Sequence, residues 1–506
     1  MIPRTLSAAL LCCAAVLVSA EPSIIVVNGK VFTGDRARPF AEAVAIEGNK
    51  VSAVGTDREI KALAREKTRV IDAQGRLVIP GFNDAHLHPG MATPAYSIAS
   101  DLGASWSDVK ASAASAIDET PADLWLTGTL GPGLVNDPSI TSEKLDALAP
   151  GRKVMLTAFT GHGTVFSTTA LKALGVTEDV KDPDGGWFER TSDGKLNGRV
   201  HEYAEYALRR RVADLASEDE LIDDIRMLSE QALRYGITSV QAMPVCSEER
   251  FAQALAKANV PLRVRIIDFH LTGNAPVWKN GGALKWILDG TPVEQGAALR
   301  TTKYKDGSQG RENFRDLTPL VKMAVDNKLQ LLVHAAGDKA VASALAAFAK
   351  APALQRPRIE HGDGLQPDLF PLAKQTGAIV VLNPTHFPFS DSYPRGDYML
   401  ANSLLKAGIP IAIGSDGEMN PFLNLLLGSS RRDRPSESLT RMDLLRAYTS
   451  GSAFAELAET KKGQLAPGML ADLAILSQNV LDVDARSLME TTSVLTIIDG
   501  KVVYEQ

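Results

Sequence analysis

Short apolar runs that each end on a polar residue able to bind a metal recur along most of this 506-residue chain. His86 and His88 close "LVIPGFNDAHLH", His334 follows "LQLLV", His361 ends "RIEH" and His386 ends "IVVLNPTH". Lys285 in "LKWILDG" and Asp416 in "IPIAIGSD" occupy the same kind of place. Apolar runs of about four to eight residues read as buried parallel strands, apolar on both faces. A closed parallel barrel opens the carboxyl ends of all its strands on one face, so residues far apart in sequence converge there. The remaining barrel strands are read as "ITSVQAM" and "VRIIDF", with helical patterns between strands. That alternation is the mark of βα units.

The expected fold class is therefore α/β, a (β/α)8 TIM-like barrel over residues 79–460. Ser217, with Glu220 three residues on, predicts a capped helix that buries Leu221, Ile225, Leu228 and Ala232 and stops at Gly236. Thr440 with Asp443 predicts a second helix start. Residues 21–78 and 461–506 read instead as short β-branched strands with Asn-Gly and Gly-Asn turns. They predict one small composite β-sandwich built from both termini. The stretch between the first two barrel strands is too long for a βα connection, so an inserted subdomain of about residues 100–230 is expected over the barrel mouth.

The first twenty residues read as a processing signal. Arg4 precedes an apolar Leu6–Val18 stretch, and Val18-Ser19-Ala20 forms a small-residue cleavage site. This predicts a periplasmic or secreted protein with no stable membrane anchor, because the apolar stretch is short for a bilayer. Cleavage removes Cys12 and Cys13, leaving Cys246 without an internal partner. It also takes the net charge from −6 to −7 by removing Arg4. No basic patch suggests nucleic acid. The expected partner is a small-molecule substrate, with self-association into a homo-oligomer left open.

His86 and His88, two apart on a strand end, point the same way and can bind one metal. With His334, His361 and Asp416 at other strand ends, the set amounts to a metal-centred hydrolytic site. The chain resembles the amidohydrolase superfamily through "VIPGFNDAHLHPG", "GITSV", "HAAGDKA", "RIEHGD", "GSD" and "KGQLAPGMLADLAIL". More narrowly it is similar to the YtcJ-like (amidohydrolase 3) group through "LKWILDG", "VHAAGDKAV", "RIEHGD" and "NPTH".

That resemblance implies two divalent metal ions per chain. His86 and His88 would hold the more buried ion and His334 and His361 the outer one, with Lys285 bridging as a carbamate and Asp416 contacting metal. Imidazole and oxygen ligands suit zinc best, with manganese, iron or cobalt compatible. The implied reaction is hydrolysis of a C–N bond in an amide, formamide or N-acyl compound by a metal-activated hydroxide. Asp416 acts as proton shuttle, and His361 joins it in the catalytic set. His386, His162, Glu202 and Asp289 are expected at the substrate; Asp289 is also an alternative ion-pair partner for Lys285. His270 reads as structural, His201 as an incidental neighbour, Arg209-Arg210-Arg211 as a solvated helix face, and Asp338 as orienting a loop or ligand. Gln241-Ala242 and Gly417-Glu418-Met419-Asn420 depart from the group pattern, and both are expected to face the site. Two other functions compete: a deaminase of a nitrogen heterocycle, for which Asp338 is the sole acid near His334, and a metal-free ligand-binding barrel.

Overall fold

A computed structural model describes residues 21–91, 95–98, 101–271, 276–394 and 396–506. The expected signal segment, 1–20, lies outside the described residues. The site-bearing strands are β1 (Phe82–Leu87), β2 (Ile237–Ala242), β3 (Arg263–Ile266, continued by Asp268–Phe269), β4 (Ala283–Ile287), β5 (Gln330–Ala335), β6 (Arg358–His361), β7 (Ile379–Leu382) and β8 (Ile411–Ile413). Each pairs in parallel with the next from β1 to β8. All but β3 are buried throughout, which is why their sequences run apolar rather than alternating. At the seam between β8 and β1 the Asp416 amide donates to the His86 carbonyl at 2.9 Å.

Register carries the ligand-type residues to one end. Ile287 lies opposite His334, and Ala335 lies opposite His361. Around the strands, Phe82, Val240, Leu284, Leu332, Ile359, Val380 and Ile413 belong to one buried apolar cluster shared with the surrounding helices. Among those helices, α1 spans Tyr203–Ala213 and α2 spans Glu218–Arg234. The Ser217 hydroxyl accepts from the Glu220 amide and the Glu220 side chain reaches back to Ser217, closing the capping box. Leu221, Ile225 and Ala232 face the core as their spacing requires. Gly236 then takes φ 74°, and a Cβ there would lie 2.7 Å from Ala474. Thr440 caps the helix Arg441–Arg446 by accepting from the Asp443 amide.

The first and last described segments meet in a pair of sheets. One holds Ile24–Val27 between Ala43–Glu47 and Arg69–Asp72, with Lys50–Gly55 at its edge. In the other, Leu77–Pro80 pairs antiparallel with Leu473–Leu476, and Ser493–Ile498 and Lys501–Glu505 follow. Val26, Val44 and Ile46 of the first sheet share one buried cluster with Val78, Leu473, Ile475 and Ile497 of the second. Between β1 and β2 a further six-stranded sheet runs from Ala95–Ile98 to Gly186–Arg190. Its loop Phe159–His162 comes down onto the carboxyl ends of the parallel strands and lines the cavity there. Among the described residues no helix is long and apolar enough to cross a membrane.

Candidate metal centre

His86 and His88 leave the end of β1, Lys285 lies within β4, His334 within β5 and His361 closes β6. His386 and Asp416 follow β7 and β8. His361 (φ 70°) and Asp416 (φ 40°) both take left-handed backbone, which costs a non-glycine residue about 1–3 kcal/mol and concentrates where side chains must be aimed. Ligand atoms of His86, His361 and Asp416 all lie within 4.8 Å of one another. His88 Nε2 is 3.2 Å from His86 Nε2 and 3.7 Å from Asp416 Oδ1. Lys285 Nζ lies 3.3 Å from His86 Nε2, and the His334 and His361 rings are 4.5 Å apart.

The donor chemistry fits a divalent cation. Burial pulls His86, His334 and His361 well below the usual imidazole range and His88 down to about 4, so these rings are neutral with lone pairs to offer. His334 Nε2 is buried without a hydrogen-bond partner among the described residues, an orphan that a metal bond would satisfy. Burial would raise the Asp416 carboxyl, but His86, His88, His386 and Lys285 together hold it well below the carboxylate range. Burial brings Lys285 down to about 8, partly opposed by Glu360 and Asp416. Lys285 does not pair with Asp289. The Asp289 carboxylate instead accepts backbone N–H groups from Ala298, Ala336 and Gly337 at 2.8–2.9 Å.

A surrounding layer of polar groups aims these ligands. His86 Nδ1 donates to Glu360 Oε2 at 2.7 Å, which turns Nε2 toward the centre. Glu360 is in turn held by buried Arg358 at 2.8 and 2.9 Å. His88 Nδ1 donates to the Met243 carbonyl at 3.0 Å. Asp84 takes the Ser415 amide at 2.9 Å and the Tyr448 hydroxyl at 3.0 Å, tying β1 to the segment that carries Asp416.

All seven residues named so far at strand ends, His86, His88, Lys285, His334, His361, His386 and Asp416, line one cavity of about 590 Å³. His162 joins them, its ring 4.6 Å from that of His334. Burial would lower His162, but Glu202, 3.1 Å away, raises it to about 9. Glu202 does not line this cavity; it bonds His162, Tyr206 and Asn313 and borders a smaller neighbouring cavity. Asp289, expected at the substrate, is fully buried behind His334 and lines neither cavity.

Two further expectations are corrected, those for Gln241 and for the arginine run. Gln241 does not face the site; it is buried among Arg358, Asn83 and the Ser452 carbonyl. Gly417 and Glu418 do line the cavity. Arg209 to Arg211 are not a uniformly solvated face, since Arg209 lines the cavity and Arg210 bonds Glu248 at 2.7 Å. His270 lies buried against Trp286 beside Asp268, and His201 stacks on Trp187 in the smaller cavity. Asp338 holds Arg300 at 2.9 Å and so orients a loop. Sequence reasoning missed Glu360, Arg358, Met243, Tyr206 and Arg209. Only the first two carried a signal, as charged residues two apart on one face of a buried strand.

A family model described as the amidohydrolase family matches residues 69–504. Protein LONG AFTER FAR-RED 3 of Arabidopsis thaliana is 27% identical over 95% of this chain and 91% of its own length. The putative amidohydrolase YtcJ of Bacillus subtilis (strain 168) is 26% identical over 94% of this chain and 97% of its own. The N-substituted formamide deformylase of Arthrobacter pascens is 23% identical, covering 96% of this chain and 98% of that protein. An uncharacterised metal-dependent hydrolase from Pyrococcus horikoshii OT3 superposes with a TM-score of 0.70 at 21% identity, covering 92% of this chain and 99% of that one.

Proposed function

The chain belongs to the amidohydrolase family, and from that premise we propose a metal-dependent hydrolase that cleaves the carbon–nitrogen bond of a small amide, formamide or N-acyl compound. The observation that carries this reading is the convergence of His86, His361 and Asp416 within 4.8 Å, beside a buried His334 Nε2 that has no partner among the described residues. Similarity to a formamide deformylase along nearly the whole length supports C–N chemistry. The Asp416-to-His86 backbone bond supports closure of β1 to β8 into a barrel.

In this reading His86 and His88 would hold one ion and His334 and His361 a second, with Lys285, carboxylated by carbon dioxide, as a further oxygen ligand. Zinc suits this set of imidazole and oxygen ligands. When bound, the metal supplies Lewis acidity and lowers the pKa of water. Asp416, held well below the usual carboxylate range, is placed to accept a proton and return it to the leaving nitrogen. His386 Nε2, 3.7 Å from Asp416 Oδ2 and a third exposed, faces the substrate space. The deaminase alternative loses its acid, because Asp338 is committed to Arg300 and does not line the cavity.

Elemental analysis of the purified protein, with assays of amine release from N-formyl and N-acyl amines, tests the reading. We expect about two divalent ions per chain and loss of turnover in Asp416→Asn. Less than about half an ion per chain, or ammonia released from heterocycles with no amine from amides, would overturn it.

A further inference from the structure

Tyr206 and Arg209 lie three residues apart on α1, so both project from the same side of the helix, and both line the large cavity. Arg209 is poorly satisfied there. Its guanidinium meets the Gly161 carbonyl and Glu205 Oε1 at 3.5 Å and the weak acceptor Met91 Sδ at 3.8 Å, and its buried Nε has no hydrogen-bond partner among the described residues. The arginine beside it contrasts sharply. Arg210 bonds Glu248 at 2.7 Å and the Phe269 carbonyl at 2.9 Å.

Glu205, the carboxylate nearest Arg209, is fully buried and accepts from the Thr164 hydroxyl at 2.8 Å. Burial pushes that carboxyl up to about 8, so at neutral pH it leaves the guanidinium without a full counter-charge. A largely buried guanidinium needs an anion to complete it. Gly161 places Arg209 one residue from His162, whose ring packs on His334 of the metal centre. The acidic groups lining the same cavity are otherwise engaged or outward: Asp416 sits among the histidines of the metal centre, Asp363 accepts from the Tyr393 hydroxyl at 3.0 Å and Glu418 is exposed. Phe159 and Phe389, with ring centroids 5.1 Å apart, give the cavity an apolar wall.

We propose that Arg209 anchors a carboxylate of the substrate, so that the preferred substrates are N-acylated or N-formylated amino acids with apolar side chains rather than neutral amides. A guanidinium binds a carboxylate through two parallel N–H donors, which fixes orientation as well as charge. The inference rests on the hydrolase reading above. One water is consumed: its oxygen and one hydrogen go to the acyl carbon, the C–N bond breaks, and the nitrogen takes the remaining proton. The products are a carboxylic acid, formic acid for a formyl substrate, and the free amino acid.

The test compares N-formylphenylalanine with its decarboxylated analogue, N-formylphenethylamine, in the metal-loaded wild type, Arg209→Leu and Arg209→Lys. The ratio of kcat/KM for the acid over the neutral compound is expected to fall about 10- to 100-fold in Arg209→Leu, chiefly through KM, with part regained in Arg209→Lys. A ratio unchanged by Arg209→Leu, or a wild type that favours the neutral compound, overturns the anchor. Calorimetric titration with N-formylphenylalanine separates the two readings. If neither compound is cleaved, the hydrolase reading fails, and binding that is lost in Arg209→Leu still supports the anchor. Binding equal in wild type and a folded Arg209→Leu overturns it.

Discussion

At the scale of single residues, burial sets the charge on the groups around this cavity, and Glu205 shows how that reaches stability. Its carboxyl is raised from an ordinary 4.5 to about 8 by burial, against the pull of Arg209 and the Thr164 hydroxyl. Because the folded value lies above the unfolded one, the folded chain keeps a proton that the unfolded chain releases. The associated stability is complete below about pH 4.5 and is lost as pH rises through about 8. Glu205→Gln keeps the shape and an acceptor oxygen but cannot ionise. The melting temperature of the variant relative to wild type should therefore climb from about pH 5 to about pH 8 and then level off. A difference that stays flat over that range would mean that Glu205 titrates like a surface carboxylate. His86 makes the complementary point about aim. Its identity as a ligand-type residue is plain in "DAHLH", but the nitrogen it turns inward is chosen by Glu360, 274 positions away.

Among the elements, the meeting of β8 with β1 leaves the least room. A Cβ on Gly414 would stand 2.3 Å from His86 Cβ and 2.5 Å from the His86 amide nitrogen. Glycine is needed there so that the two backbones can approach and the Asp416 amide can reach the His86 carbonyl. Gly414→Ala should push β8 off β1, cost about 1–3 kcal/mol as an overpacked contact, and lower metal content by moving two ligand residues apart. Thermal melting and metal content per chain check it together, and a variant with both unchanged would show a loose seam. Much at this scale was legible in the sequence. β2, β5 and β7 coincide with the apolar runs, and α2 begins at its capping box. These signals are local, set within a few residues. The side of α1 that carries Arg209 was not legible, because three consecutive arginines give no contrast from which to read a face.

On the scale of the whole molecule, the cavity collects neutral imidazoles from three separate strand ends, together with a lysine and a carboxylate. A ligand that binds only the folded chain stabilises it by mass action, about 2.7 kcal/mol at a hundred times its dissociation constant. Removing metal with a chelator should thus lower the melting temperature, and adding back zinc should restore it. An identical melting curve before and after chelation would show that the cluster is held without metal. The segments before and after the strands of the site are joined in the same paired sheets, with Leu77–Pro80 against Leu473–Leu476.

The sequence by itself determined the kinds of element, their order and the residue types at the strand ends, since apolar periodicity and capping chemistry act over short stretches of chain. Only the tertiary structure decided which of those groups meet. Lys285 turns to His86 while Asp289 is taken up by three backbone amides. Glu360 and Arg358 form the buried pair behind the centre, and Arg209 opens onto the cavity. These outcomes depend on strand register and on packing between segments tens to hundreds of residues apart, and no local pattern encodes them.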